Sequence, residues 1–145
     1  MSRLSIRQDP RPAIRRAVMA LVAANQGHPF VAGVSGRLEY RLGRKDWPYP
    51  YATFAVWCAD RSTRTAQIDV VQLQVSVFSR ASLEAEILSG HATALFTTGP
   101  LSAEGICPFT LRRFGEVPTF PDAATEKTVA WQAGYTLVGL VQTKP

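Results

Sequence analysis

Nothing in this sequence marks out a place for bond-making chemistry. Among 145 residues there are only two histidines and two cysteines. Cys58 and Cys107 form no CxxC and have no histidine at metal-ligand spacing, so no zinc or redox motif is present. Both lie in apolar, strand-like segments. They read as small buried hydrophobes in a reducing compartment, with a disulfide as the alternative. His28 falls in a turn and His91 on a helix face, and neither has a Cys, Ser or carboxylate at suggestive spacing. The sequence has no Walker loop and no GxGxxG. Gly33-Val34-Ser35-Gly36-Arg37 lacks the closing glycine of a nucleophile elbow and opens no helix. No pair of carboxylates stands out. The expectation is a chain without catalysis, cofactor or metal.

Long apolar runs are missing too. The longest, Ala17 to Ala24, is well short of the roughly 20 residues that cross a bilayer. Arg15 and Arg16 precede it, as in a short signal peptide, but it sits inside an amphipathic pattern, which argues against that reading. Lysine is scarce: 13 of the 16 basic residues are arginine. Arginine keeps its charge when half-buried and grips carboxylate or phosphate with two hydrogen bonds. The charge is uneven as well as arginine-rich. Residues 1–45 hold nine basic and two acidic groups, whereas residues 46–145 hold seven and nine. A basic side of this kind suits an acidic protein or nucleic acid as partner, or simply a solvated face.

What is present is ordinary globular material, 46% apolar and 19% charged, in a length that fits one domain over residues 1–145. Residues 10–25 read as a helix, with Asp9 as cap, Pro10 at the first helical position and Gly27 closing it. Its stripe is Ile14, Val18, Leu21 and Val22. Residues 28–36 read as a loop and 37–42 as a short strand. The stretch from Gly43 to Pro50 has two prolines, two aromatics and three charges, which excludes a central strand. Residues 51–59 and 66–79 read as a hairpin, the second strand alternating Val71, Leu73, Val75 and Val77 with Gln72, Gln74, Ser76 and Phe78. Ser82 caps a helix over 83–96 with an expected inner stripe of Leu83, Ile87, Leu88, His91 and Leu95. A strand over 106–114, a polar link over 115–125 and a strand over 127–142 complete the chain. Gly134 and Gly139 point to a bulge or bend in the last strand. The order α-β-β-β-α-β-β predicts an α+β fold, a mainly antiparallel sheet of about five strands with two helices on one face.

One combination of these features is shared with a known family. Tyr49-Pro50-Tyr51-Ala52-Thr53 opens a strand after an aromatic-proline lead. A turn follows, and then an alternating strand ends in Val75-Ser76-Val77-Phe78-Ser79-Arg80 and passes directly into the helix from Leu83 to Phe96. A final alternating strand runs from Val129 to Gln142. Over residues 10–142 this resembles the tail terminator, or tail-completion, proteins of long-tailed bacteriophages. The departures are Phe78, where a tryptophan is expected, and the proline-rich segment 101–122. The resemblance implies a structural virion protein at the tail–neck junction, assembled in the bacterial cytoplasm. It implies a homohexameric ring that caps the head-proximal end of the tail tube, stops its growth and offers a docking surface to the head. The implied partners are other copies of the chain, the tail tube protein and head–neck connector proteins. DNA passes through the lumen without sequence-specific binding, and no cofactor or membrane takes part. Another neck, head-completion or tube protein, or a small nucleic-acid-binding α+β module, is the alternative.

Two residue groups are candidates for contact. Arg41, Arg44, Lys45, Asp46, Trp47 and Tyr49 share a turn-rich segment, and Tyr, Trp and Arg dominate the energetics of protein interfaces. They are assigned to a subunit or tail-tube interface, with packing of Trp47 and the neighbouring Tyr51 on the chain's own core and stacking against single-stranded nucleic acid as alternatives. Arg61 and Arg64, on the hairpin turn, are assigned to the lumen or to an acidic partner, the alternative being a solvated turn.

Overall fold

The computed structural model describes residues 7–43, 46–122 and 130–145. Its elements run α1 (Arg11–Ala24), α2 (Pro29–Gly33), β1 (Leu38–Tyr40), β2 (Tyr51–Asp60), β3 (Ile68–Ser79), α3 (Ser82–Thr97), β4 (Arg112–Asp122) and β5 (Ala130–Gln142). The strand with the clearest alternation, β3, lies in the middle of a five-stranded sheet ordered β1-β2-β3-β5-β4. Among the described strands, only the β1–β2 pair is parallel. The α+β plan with a mainly antiparallel sheet is therefore as expected.

Both edges of β3 are paired without a slip, from Tyr51↔Phe78 to Asp60↔Asp69 on one side and from Ile68↔Gln142 to Ser79↔Trp131 on the other. Alternation then fixes which residues go inward. Val71, Leu73, Val75 and Val77 join Ala52, Phe54 and Val56 from β2 and Leu137 and Val141 from β5 in one buried cluster. Ile14, Val18 and Val22 of α1, Phe30 and Val31 of α2, and Leu88, Leu95 and Phe96 of α3 close over it. Phe30 meets Phe96 edge-on at 6.0 Å, a geometry that aligns the positive ring edge with the negative ring face. All three helices thus cover one face of the sheet.

Several boundaries differ from the sequence reading, each for a local reason. Residues 28–36 are not loop throughout, because His28 accepts the Phe30 amide at 3.2 Å on its Nδ1 and starts the short α2. Helix α1 has Pro10 as its cap residue, without a side-chain bond; Asp9 instead accepts the Arg11 amide at 3.0 Å. It ends at Asn25 rather than Gly27. At α3 the cap residue is Ala81 rather than Ser82, without a side-chain bond; the Ser79 hydroxyl accepts the Ala81 amide and donates to Glu84 at 2.6 Å. The predicted strand over 106–114 is displaced. Residues 101–111 make only two isolated bridges, Leu101↔Phe109 and Ile106↔Thr143, yet bury Leu101, Ile106, Phe109 and Leu111. The predicted polar link is instead most of β4. That strand is an outer edge, broken twice in register and carrying Pro118 and Pro121, as an edge tolerates. The register breaks lie in β4 and not in β5. Gly134 serves close approach instead, since a Cβ there would strike the Val75 carbonyl oxygen.

The inner stripe of α3 also differs. Ala85, Leu88, Ser89, Ala92, Leu95 and Phe96 face the sheet, while Leu83 is 68% and Ile87 50% exposed. The helix has apolar residues on both sides, so periodicity alone could not choose. The small side chains decide it, because they let the helix axis come close to the strands.

The chain before α1 is tied to the sheet by charge. Asp69 is fully buried in β3 and accepts the Arg7 guanidinium, which also lies 3.8 Å from Asp60. Alongside, the Gln8 amide donates to Gln67 Oε1 at 3.1 Å and Gln67 Nε2 donates to the Gln8 carbonyl at 2.6 Å. Removing one partner leaves a buried carboxylate without its counter-charge. Arg7→Met is expected to lower unfolding free energy by about 2–3 kcal/mol, below the roughly 3–5 kcal/mol of a fully buried pair because Arg7 is half-exposed. Urea denaturation measures it.

Candidate functional site: an uncharged sheet face and its aromatic loop

Among the described residues, no helix lies on the second face of the sheet. Its side chains are those that alternate with the core: Thr53, Ala55 and Trp57 from β2, Gln72, Gln74 and Ser76 from β3, and Thr136, Val138 and Leu140 from β5. On these three strands no charged side chain points to this face. Trp57 is 46% and Leu140 62% exposed. Val70, Val138 and Leu140 line a shallow hollow closed at one side by Arg112. Neutral amides and hydroxyls with interspersed large apolar groups make a face that loses little on dehydration, because no ion must be stripped of water.

One end of this face is built up by aromatic stacking. Tyr51 and Phe78 are cross-strand partners, their rings stacked at 5.0 Å. Tyr49 stacks on Tyr51 at 5.5 Å and Trp47 tilts against it at 6.0 Å. The Arg80 guanidinium lies over the Tyr49 ring at 5.8 Å, within cation–π range. The segment is also held by its backbone. Arg37 places Nε and Nη2 at 3.2 and 2.7 Å from the Pro50 carbonyl oxygen. The Arg41 amide donates to the Phe54 carbonyl at 2.8 Å, with Arg41 itself at φ 68°. The Tyr49–Pro50 peptide is cis.

The assigned interface residues therefore fall into three states. Trp47 and Tyr49 are part of the aromatic stack and half-buried, so their rings brace the loop as well as border the open face. Arg41 and Asp46 are exposed on the same loop, beside a well-exposed Leu42. Arg44 and Lys45 lie outside the described residues. Arg61 and Arg64 are exposed on the β2–β3 turn, at the far end of the hairpin from the stack. Arg61 donates to the Asp60 carbonyl at 3.1 Å. Asp60 is held below the usual carboxylate range by the Ser62 hydroxyl and amide. Sequence reasoning grouped Tyr51 with the aromatics of the interface loop but missed Phe78 and Trp57 as surface formers. The signal was there in the polar half of the β3 alternation, where every member is neutral.

This architecture is found in a solved assembly. No family model matches the chain, and no curated protein matches it. Among solved structures, the chain is similar in fold to a chain described as "Virion of native gene transfer agent (GTA) particle". The TM-score is 0.70 at 15% identity, covering 94% of this chain and 99% of the other. The likeness is therefore one of fold along nearly the whole of both chains.

Reactive groups are subdued. Burial raises the Cys58 thiol to about 11, with nearby Asp69 adding to the effect. The thiolate is the reacting form, so Cys58 is expected to alkylate slowly near neutral pH and about tenfold faster per unit of added pH until its own titration. Iodoacetamide labelling followed by mass spectrometry tests this. For the loop, Arg37→Ala removes both bonds to Pro50. The expected result is a loss of about 1.5–3 kcal/mol, typical of hydrogen bonds to charged groups. A red-shifted Trp47 emission in a W57F/W131F background should accompany it.

Proposed function

We propose that this chain is a non-enzymatic virion assembly protein, a terminator that closes as a ring on the head-proximal end of a phage-type tail tube. The ring stops tube growth and gives the head a surface to dock on, and DNA passes through its lumen. The observation that carries this reading is the fold. It is shared along nearly the whole of both chains with a component of a phage-like virion, and the sequence independently resembles tail terminators over residues 10–142. The surface is suited to the task. A broad face without charge, exposed Trp57 and Leu140, and a braced loop rich in Arg, Trp and Tyr are what a contact-making subunit needs. Copy number six, the tube end as target and the head–neck proteins as further partners come from the resemblance.

The test is to add the purified protein to its polymerising tail-tube protein and measure tube lengths by negative-stain electron microscopy. Short tubes with a ring at one end are the expected result. Unlimited polymerisation of this chain alone would point to a tube protein, and tubes of unaltered length to neither. Replacing Arg44 and Trp47 together with alanine is expected to impair capping while the monomer stays folded. Reversing the charge of Arg61 and Arg64 is expected to reduce the yield of joined, infectious particles.

A further inference from the structure

Helix α3 is apolar on both sides, and among the described residues only one side has a partner. Leu88, Leu95 and Phe96 lie in the core, whereas Leu83 and Ile87 point outward. Residues four apart on a helix stand side by side, so Leu83 and Ile87 form a short ridge, flanked by the exposed carboxylates of Glu84 and Glu86. Beside the ridge, towards Pro29 and Gly33 of α2, is a shallow hollow of about 460 Å³. A helix that is apolar all round is normally covered all round.

The opposite chemistry sits on α1. A groove of about 370 Å³ runs between α1 and the outer strand β1. Pro12, Met19 and Tyr40 give it an apolar lining, and Arg15 and Arg16 stand on its rim, outnumbering the one carboxylate of Glu39. The Arg15 guanidinium lies flat over Tyr40, 3.7 Å from the ring centroid, which holds the charge at the rim. Met19 is 42% exposed. From Pro12 to Met19 the groove follows two helical turns, about 10 Å at the rise of an α-helix. The ridge and its hollow, from Leu83 to His91, run about 12 Å at the same rise, close to the length of the groove.

We propose that these two surfaces are halves of one contact between copies of this chain: the Leu83–Ile87 ridge of one copy seats in the α1 groove of the next, with Glu84 and Glu86 facing Arg15 and Arg16. A second copy is the occupant because one chain carries both halves, matched in apolar character, length and sign of charge. The halves share no residue and sit on different helices, so each can engage a different neighbour; used that way, as the ring reading requires, the contact is heterologous, whereas a two-fold pair would use both halves at once. It leaves a free groove at one end and a free ridge at the other, and such contacts repeat until they close. The inference rests on the ring reading and specifies where the ring is joined.

Native mass spectrometry of the full chain, alone and with its tail-tube protein, tests the pairing. Circular dichroism confirms that each variant is folded, which the exposure of the substituted residues favours. Ile87→Lys is expected to weaken self-association roughly tenfold or more, as for a central interface anchor. Arg16→Glu and Glu86→Arg should each weaken it several-fold, and the double variant should restore it, with the effect shrinking at high salt. Rings that form equally well with all three single variants would overturn the contact and leave the terminator reading standing. Losses in the single variants without recovery in the double would overturn the charge pairing. A wild-type chain that stays monomeric with and without tube protein would overturn both.

Discussion

Because β3 is hydrogen-bonded along both edges, it has no freedom to rotate, and every side chain on it belongs to one face or the other. Ten consecutive residues, Asp69 to Phe78, are committed in this way. Val71, Leu73, Val75 and Val77 draw the helices onto one side, and Gln72, Gln74 and Ser76 leave the other side neutral. A one-residue slip would exchange the two sets and put the glutamines in the core. The buried Asp69 sits on the same strand and turns the register into an attachment point for Arg7. The helical layer, the open face and the N-terminal tie all follow from this pairing.

Most of the sheet was legible because strands read by period two leave few choices. The β2–β3 hairpin, the course of β5 and the helices α1 and α3 were placed within a few residues. The misses have physical reasons. The apolar residues Leu101, Ile106, Phe109 and Leu111 were buried by a segment that makes almost no regular ladder, so their spacing carried no period. Strand β4 was concealed by its prolines and charges, which an edge accepts and a central strand does not. The outward Leu83 and Ile87 looked like core because a helix with apolar groups on both sides has no preferred face.

The candidate surface was only half visible in sequence. The loop at 41–49 could be picked out by composition, since Arg, Trp and Tyr seldom gather by chance. Its brace could not. Arg37 reaches Pro50 across 13 residues, and Phe78 reaches Tyr51 across the hairpin; both contacts exist only after the register is set. The stack accounts for two opposed readings of Trp47 and Tyr49 together. Their rings are part of the chain's own packing and also shape the border of the uncharged face.

The two outer strands have a consequence for how such a molecule can associate. A sheet with long, straight borders recruits further strands through its backbone, whatever their sequence. Here one border is β1, three residues long, and the other is β4, with two register breaks and the prolines Pro118 and Pro121. Indiscriminate backbone zippering is discouraged on both sides. Recognition between molecules is left to side chains, which can discriminate one partner from another and can settle on a finite number of them.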